Sequence, residues 1–224
     1  FYKGTSASIS ATPSTGYSFN GWNGEGTADS NTSSTNVDMS QNRTLSASFS
    51  LNSYDLTVLA ESGGSVTGNG SFSHGTNPSI SATPDTGYSF DGWNGEGTAD
   101  ANASSTTVDM SQARTLSASF SLNSHDLTLL AGSGGSVTGN GSFSHGTNPS
   151  ISATPDTGYS FDGWNGEGTA DANASSTTVD MSQARTLSAS FSLNSHDLTL
   201  LAGSGGSVTG NGSFSHGTNP SISA

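Results

Sequence analysis

The chain has no cysteine among its 224 residues. That excludes disulfide staples, thiolate metal centres and cysteine nucleophiles. Positive charge is almost as scarce: four Lys and Arg residues face seventeen Asp and Glu, for a net charge of −13. Such an acidic surface repels nucleic acid and anionic lipid, so neither is an expected partner. Lysine occurs once, at Lys3, so no Lys–Asn isopeptide staple can form elsewhere in the chain. Long apolar runs are missing too: none approaches the roughly 18 residues of a membrane-spanning helix, and no membrane insertion is expected. No stretch holds a helical apolar period over successive turns. Apolar residues make up only 29% of the chain, a composition close to that of disordered segments. Regularly placed Trp, Phe, Tyr, Ile, Leu and Val argue instead for small cores.

What the chain does have is a period of 71 residues. The segment Leu51-Asn52-Ser53-Tyr54-Asp55-Leu56 returns at Leu122 and again at Leu193. The two complete copies, 51–121 and 122–192, differ at three positions only: Tyr54/His125, Val58/Leu129 and Glu61/Gly132. Residues 1–50 match 72–121 with ten differences, and 193–224 repeat 122–153 without change. The expected organisation is therefore a partial module (1–50), two complete modules (51–121 and 122–192) and a second partial module (193–224). An array of like modules fits a spacer or scaffold better than a one-site enzyme. Each module is small enough that its own core should give modest stability.

Along 51–121, residues 54–60 read as a first strand, 65–67 as a second and the neighbourhood of Phe72 as a third, with a Gly68-Asn69-Gly70 turn between the last two. Residues 79–83 alternate again. Pro84-Asp85-Thr86-Gly87 has turn chemistry, and 88–93 form an aromatic strand. A polar loop spans 94–105. Thr106 to Met110 and Arg114 to Ser121 close the module, the latter with Leu116, Ala118 and Phe120 alternating against serines. The expected core is Leu56, Val58, Val66, Phe72, Ile80, Tyr88, Phe90, Trp93, Val108, Met110, Leu116 and Phe120. Only Leu122-Asn123-Ser124 separates the last strand of one module from the first of the next, a joint short enough to restrict inter-module angles.

The run Gly87-Tyr88-Ser89-Phe90-Asp91-Gly92-Trp93, then Val108-Asp109-Met110, then Thr115-Leu116-Ser117-Ala118-Ser119-Phe120, resembles the internalin-type B-repeat. The preceding Gly-Gly-Ser-Val-Thr-Gly and Ser-Ala-Thr-Pro are similar to its divergent branch. The resemblance recurs once per period and covers essentially the whole chain. It implies a β-grasp-like or all-β module used as a spacer in large secreted or cell-surface bacterial proteins and adhesins. Residues 73–83, where a β-grasp carries its helix, are rich in Ser, Asn and Pro, so little or no helix is expected. The expected fold is mainly β: a tandem array of small antiparallel modules forming an elongated rod.

Candidate sites are few. Trp22, Trp93 and Trp164 read as core rather than as sugar-stacking platforms. Asp100-x-Asn102-x-Ser104 offers oxygens at alternating positions, as the start of an EF-hand loop does, but the sixth-position Gly and twelfth-position Glu of that motif are missing. Glu96, Asp100 and Asn102, with Asp171 and Asn173 in the next copy, therefore read as a solvated loop, with a Ca²⁺ site as the minor alternative. Asp29, Asn31 and Ser33 repeat the pattern. His74, His145 and His216 in Ser-His-Gly-Thr turns, and His125 and His196 at the joints, read as exposed residues. No nucleophile elbow, phosphate loop or dinucleotide glycine pattern occurs, so no catalytic residue and no cofactor is expected. The function expected is an extracellular or cell-surface stalk, partnered by neighbouring modules of the same protein. Two alternatives stand beside it. One is multivalent weak adhesion to glycans or a cell surface. The other is a head-to-tail fibre in which 193–224 complete the half-module 1–50 of another copy by strand addition.

Overall fold

Strands form wherever apolar residues alternate with Ser and Thr, because one face of each pleat is then apolar and can be buried. A computed structural model describes residues 4–224, so Lys3 lies outside the described residues. The chain divides into two compact units, one ending at Ser121 and one beginning at Leu122. The first contains β1 (Ser6–Ser10), β2 (Tyr17–Asn23), β3 (Ser34–Asp38), β4 (Ser46–Leu51), β5 (Ser53–Ala60), β6 (Gly64–Thr67), β7 (Gly70–Ser73), β8 (Ser79–Pro84), β9 (Tyr88–Asn94), β10 (Ser105–Thr107) and β11 (Arg114–Leu122). The second contains β12 (Ser124–Ala131), β13 (Gly135–Thr138), β14 (Gly141–Ser144), β15 (Ser150–Pro155), β16 (Tyr159–Asn165), β17 (Ser176–Thr178), β18 (Arg185–Leu193), β19 (Ser195–Leu198) and β20 (Gly212–Ser215). There is no helix among the described residues.

Each complete module is built from two sheets. In 51–121 a four-stranded sheet has the order β7-β5-β11-β9, and a three-stranded sheet the order β10-β8-β6. The module 122–192 repeats this as β14-β12-β18-β16 and β13-β15-β17. The pairing departs from an all-antiparallel expectation at one place. The first and last strands of each module lie side by side and parallel, with Leu56 opposite Arg114 and Ala60 opposite Ala118. The same register joins Leu127 to Arg185 and Ala131 to Ala189. The pairing sets Leu56 and Val58 beside Leu116 and Ala118, four buried residues of one core. Of the β-grasp expectation, the mixed sheet with its central parallel pair is present. The helix is replaced by the second sheet.

The core lies between the sheets. Leu56, Val58, Trp93, Leu116 and Ala118 from the larger sheet meet Ile80 and Ala82 of β8, together with Val108 and Met110. Leu116 is 1% exposed and Met110 fully buried. Val66, Phe72, Phe90 and Phe120 pack against this cluster from its edge. Tyr88 does not join the core as expected; its ring covers the turn at Gly63, where an added Cβ would sit 2.3 Å from it. Ala82 and Ala118 are buried in the core beside the expected residues.

Strict alternation along an aromatic strand would send Phe161 and Trp164 to opposite faces. A β-bulge prevents this. Phe161 pairs with Phe191, but Gly163 pairs with Ser190 and Trp164 with Ala189, so one extra residue is accommodated on β16. Phe161 and Trp164 therefore meet edge to face, with ring centroids 5.7 Å apart. The same shift occurs between Phe19 and Gly21 of β2. Two smaller adjustments complete the comparison. The turn before the aromatic strand closes from Asp85 to Tyr88 (3.0 Å), one residue later than the Pro84–Gly87 reading. Beyond β10, the expected strand to Met110 continues only as a bridge from Val108 to Thr98.

Candidate functional site

In a repeat protein the joints between modules recur with the period. β4 ends at Leu51 and β5 begins at Ser53, so a single residue, Asn52, connects them. The Asn52 N–H donates to the carbonyl of Gly16 (2.7 Å), and its own carbonyl accepts the N–H of His74 (2.8 Å). Its side-chain Oδ1 accepts from Ser18 Oγ (2.5 Å). Asn194 repeats all three contacts in the second unit. Its N–H donates to Gly158 and its carbonyl accepts from His216, each at 2.8 Å, and Ser160 Oγ donates to its Oδ1. One asparagine thus holds the aromatic-strand turn of the module before it and the Ser-His-Gly-Thr turn of the module after it. The two turns also touch. A Cβ on Gly16 would lie 2.0 Å from the His74 ring, and one on Gly158 would lie 2.2 Å from the His216 ring. Both glycines have φ near +80° (+80° and +85°). Close ring approach and left-handed backbone together account for glycine there.

The histidines are not isolated turn residues as the sequence suggests. His125 Nε2 lies 3.2 Å from His145 Nδ1, and His196 Nε2 lies 3.4 Å from His216 Nδ1. In 51–121 the first partner is Tyr54, whose ring stands edge-on to His74 at a centroid distance of 6.0 Å. There His74 Nδ1 is buried without a hydrogen-bond partner. His74, His125 and His145 are half-buried, and only His196 and His216 are exposed. The signal in the sequence was the Tyr54/His125 difference, one of three between otherwise identical modules.

Arg43, Arg114 and Arg185 are the only bases among the described residues, and each is used inside its own module. Arg114 Nε donates to the Asp109 carbonyl (3.1 Å), and Nη2 reaches Asp109 Oδ2 (3.3 Å). Its Nη1 lies 3.9 Å from Glu96. The guanidinium lies against Gly97, where a Cβ would sit 2.7 Å from it. The Asp109 carboxyl is held below its ordinary range, first by the hydrogen bond from Ser111 and then by Arg114; partial burial opposes them. Asp38 is lowered by Ser40 and Arg43, and Asp180 by Ser182 and Arg185.

The acidic loop is folded onto the core. Trp93 N–H donates to Ala101 (2.8 Å), and its indole Nε1–H donates to Ala103 (2.9 Å). Trp93 and Trp164 are each 4% exposed, so these rings face the core and not a sugar. Asp100 Oδ1 accepts the Asn102 N–H (2.9 Å), and the Asp100 N–H donates to Thr106 Oγ1 (3.0 Å). Asp171 and Asn173 repeat the Asp100–Asn102 contact. Glu96 pairs with Arg114. Among the described residues, no three His, Asp or Glu side chains converge, and the histidines meet only in pairs. The open groove beside Leu130 and Gly132 is lined by Ala, Ser, Asn and Phe and brings no acid–base pair together.

The model of the divergent InlB B-repeat domain matches the chain three times in tandem, at residues 1–53, 54–124 and 125–195. Those limits fall three residues beyond the ones drawn from the repeat. Comparison with curated proteins and with solved structures gives no match. With the recurring aromatic strand, the Trp-capping loop and the closing Leu-x-Ala-x-Phe strand each in place, the chain belongs to the divergent InlB B-repeat family.

Proposed function

We propose that this chain is a stalk: a length-setting repeat region of a large bacterial surface or secreted protein, carrying no chemistry of its own. The single-residue joint supports the reading most directly. A flexible tether would leave neighbouring turns free. Here Asn52 and Asn194 each make three hydrogen bonds that tie adjacent turns together. The only bases among the described residues are engaged within their modules, so the exposed surface is dominated by acids that keep chains apart. Membership of a family of bacterial surface-protein repeats supports an extracellular setting.

The test is small-angle X-ray scattering on chains of increasing module number. The maximum dimension should rise in equal steps of about 25–40 Å per module, the span of a strand of roughly eight residues and its connections. A radius that grows as a flexible chain's does, or that stays constant, would defeat the stalk reading. The profile should also be unchanged by calcium or chelator, since Glu96 and Asp100 have protein partners. Softening on chelation would return the loop to the status of a cation site.

A further inference from the structure

The geometry points to a transition-metal site at each His–His pair: His125 with His145, and His196 with His216. Two nitrogen ligands at 2.0–2.1 Å from a tetrahedral Zn²⁺ stand about 3.3–3.4 Å apart. The two nitrogen–nitrogen separations are 3.2 Å and 3.4 Å. The rings meet at 61° and 58°, so small rotations direct both lone pairs to a shared point beside the pair. In the metal-free protein one ring nitrogen donates a hydrogen to the other. For both to ligate, the donor ring carries its proton on its other nitrogen, a tautomer change with no net proton gain or loss. Water or an outside carboxylate would complete the shell.

The ligands are held in advance. The His145 backbone N–H donates to Asn123, the following Gly146 N–H donates to Met181 in the core, and Thr147 N–H closes the turn onto Ser144. His125 sits on β12, opposite Phe143 of β14. The first module supplies an internal control. Tyr54 replaces the first histidine there, and His74 Nδ1, the atom equivalent to the ligand in the other copies, is buried and unpaired. The turn histidine is therefore aimed at this position whatever stands opposite. An ion at the pair would clip the first strand of a module to the turn beside its joint. Imidazole favours Zn²⁺, Ni²⁺ or Cu²⁺ over the hard cations that carboxylates take.

The test is zinc titration of the full chain, read by NMR on the imidazole nitrogens and by calorimetry. Shifts are expected at His125, His145, His196 and His216, and not at His74. The double variant His125→Tyr/His196→Tyr carries a residue that the first module already accommodates, so it should fold and lose the calorimetric signal. Tyr54→His should add a site that includes His74. Equal shifts at His74 in the unaltered chain, binding that survives the double variant, or displacement of zinc by excess calcium would each overturn the proposal. The last two would assign the ion to surface carboxylates. A silent titration would overturn it as well. The stalk reading survives any of these results, since it rests on length per module.

Discussion

Trp93 is the largest side chain in the buried core of its module. It fills the core between Phe90 and the loop, and its indole N–H occupies the Ala103 carbonyl. Trp93→Ala should cost about 3–5 kcal/mol, the range for emptying a large aromatic site, and unfold its module first in a denaturant titration. Trp93→Phe leaves the Ala103 carbonyl unpaired and should cost less, about 1–3 kcal/mol. If both variants melt with the unaltered chain, the ring is not core. At this scale the sequence was largely legible: an aromatic among small polar residues has little choice but the interior. The bulge that lets Trp and Phe share a face was not legible, because it depends on the Ala101 and Ala172 carbonyls arriving from a loop to pair with Trp93 and Trp164. The His–His pair was missed for a similar reason. Its members lie twenty residues apart and meet only after β14 has paired with β12, across the intervening β13.

Between elements, the hydrogen bonds that set geometry come from short polar side chains in turns. Asn69 Oδ1 accepts the Val58 N–H (2.6 Å) and Asn69 Nδ2 donates to the Val58 carbonyl (3.2 Å), so the β6–β7 turn is pinned to β5. Asn69→Ala should cost about 1–3 kcal/mol by leaving that strand's backbone groups without partners. Hydrogen exchange at Val58 should accelerate relative to Leu116, and unchanged exchange would show the clamp to be idle. The Ser111–Asp109–Arg114 knot behaves differently with pH. Its carboxyl titrates lower folded than unfolded, so its stabilisation is present above the unfolded value of about 3.9. It is lost as pH falls from there through the depressed folded value. The melting-temperature gap between the unaltered chain and Asp109→Asn/Asp180→Asn should be flat near neutrality and close below about pH 4. A gap that widens on acidification would contradict the sign. Strand positions were legible from alternation, most clearly Leu116, Ala118 and Phe120. Strand order was not: nothing local in 54–60 or 114–121 says that they will lie side by side and parallel.

At the scale of the whole chain, the parallel pairing of first and last strands has a mechanical consequence. Load enters a module at the start of β5 and leaves at the end of β11. Those strands are neighbours running the same way, in register from Leu56–Arg114 to Ala60–Ala118. Tension along the array therefore slides one strand past the other, and the backbone bonds between them must yield together. A hairpin loaded at its two open ends would instead release its bonds one at a time. Stretching by atomic force microscopy should give a sawtooth in which each complete module releases most of the contour of its 71 residues, at roughly 3.3–3.6 Å each. A smooth low-force extension would mean that the pair is not bearing the load. A module with neither cysteine nor lysine to staple it can in this way resist pulling through strand direction alone.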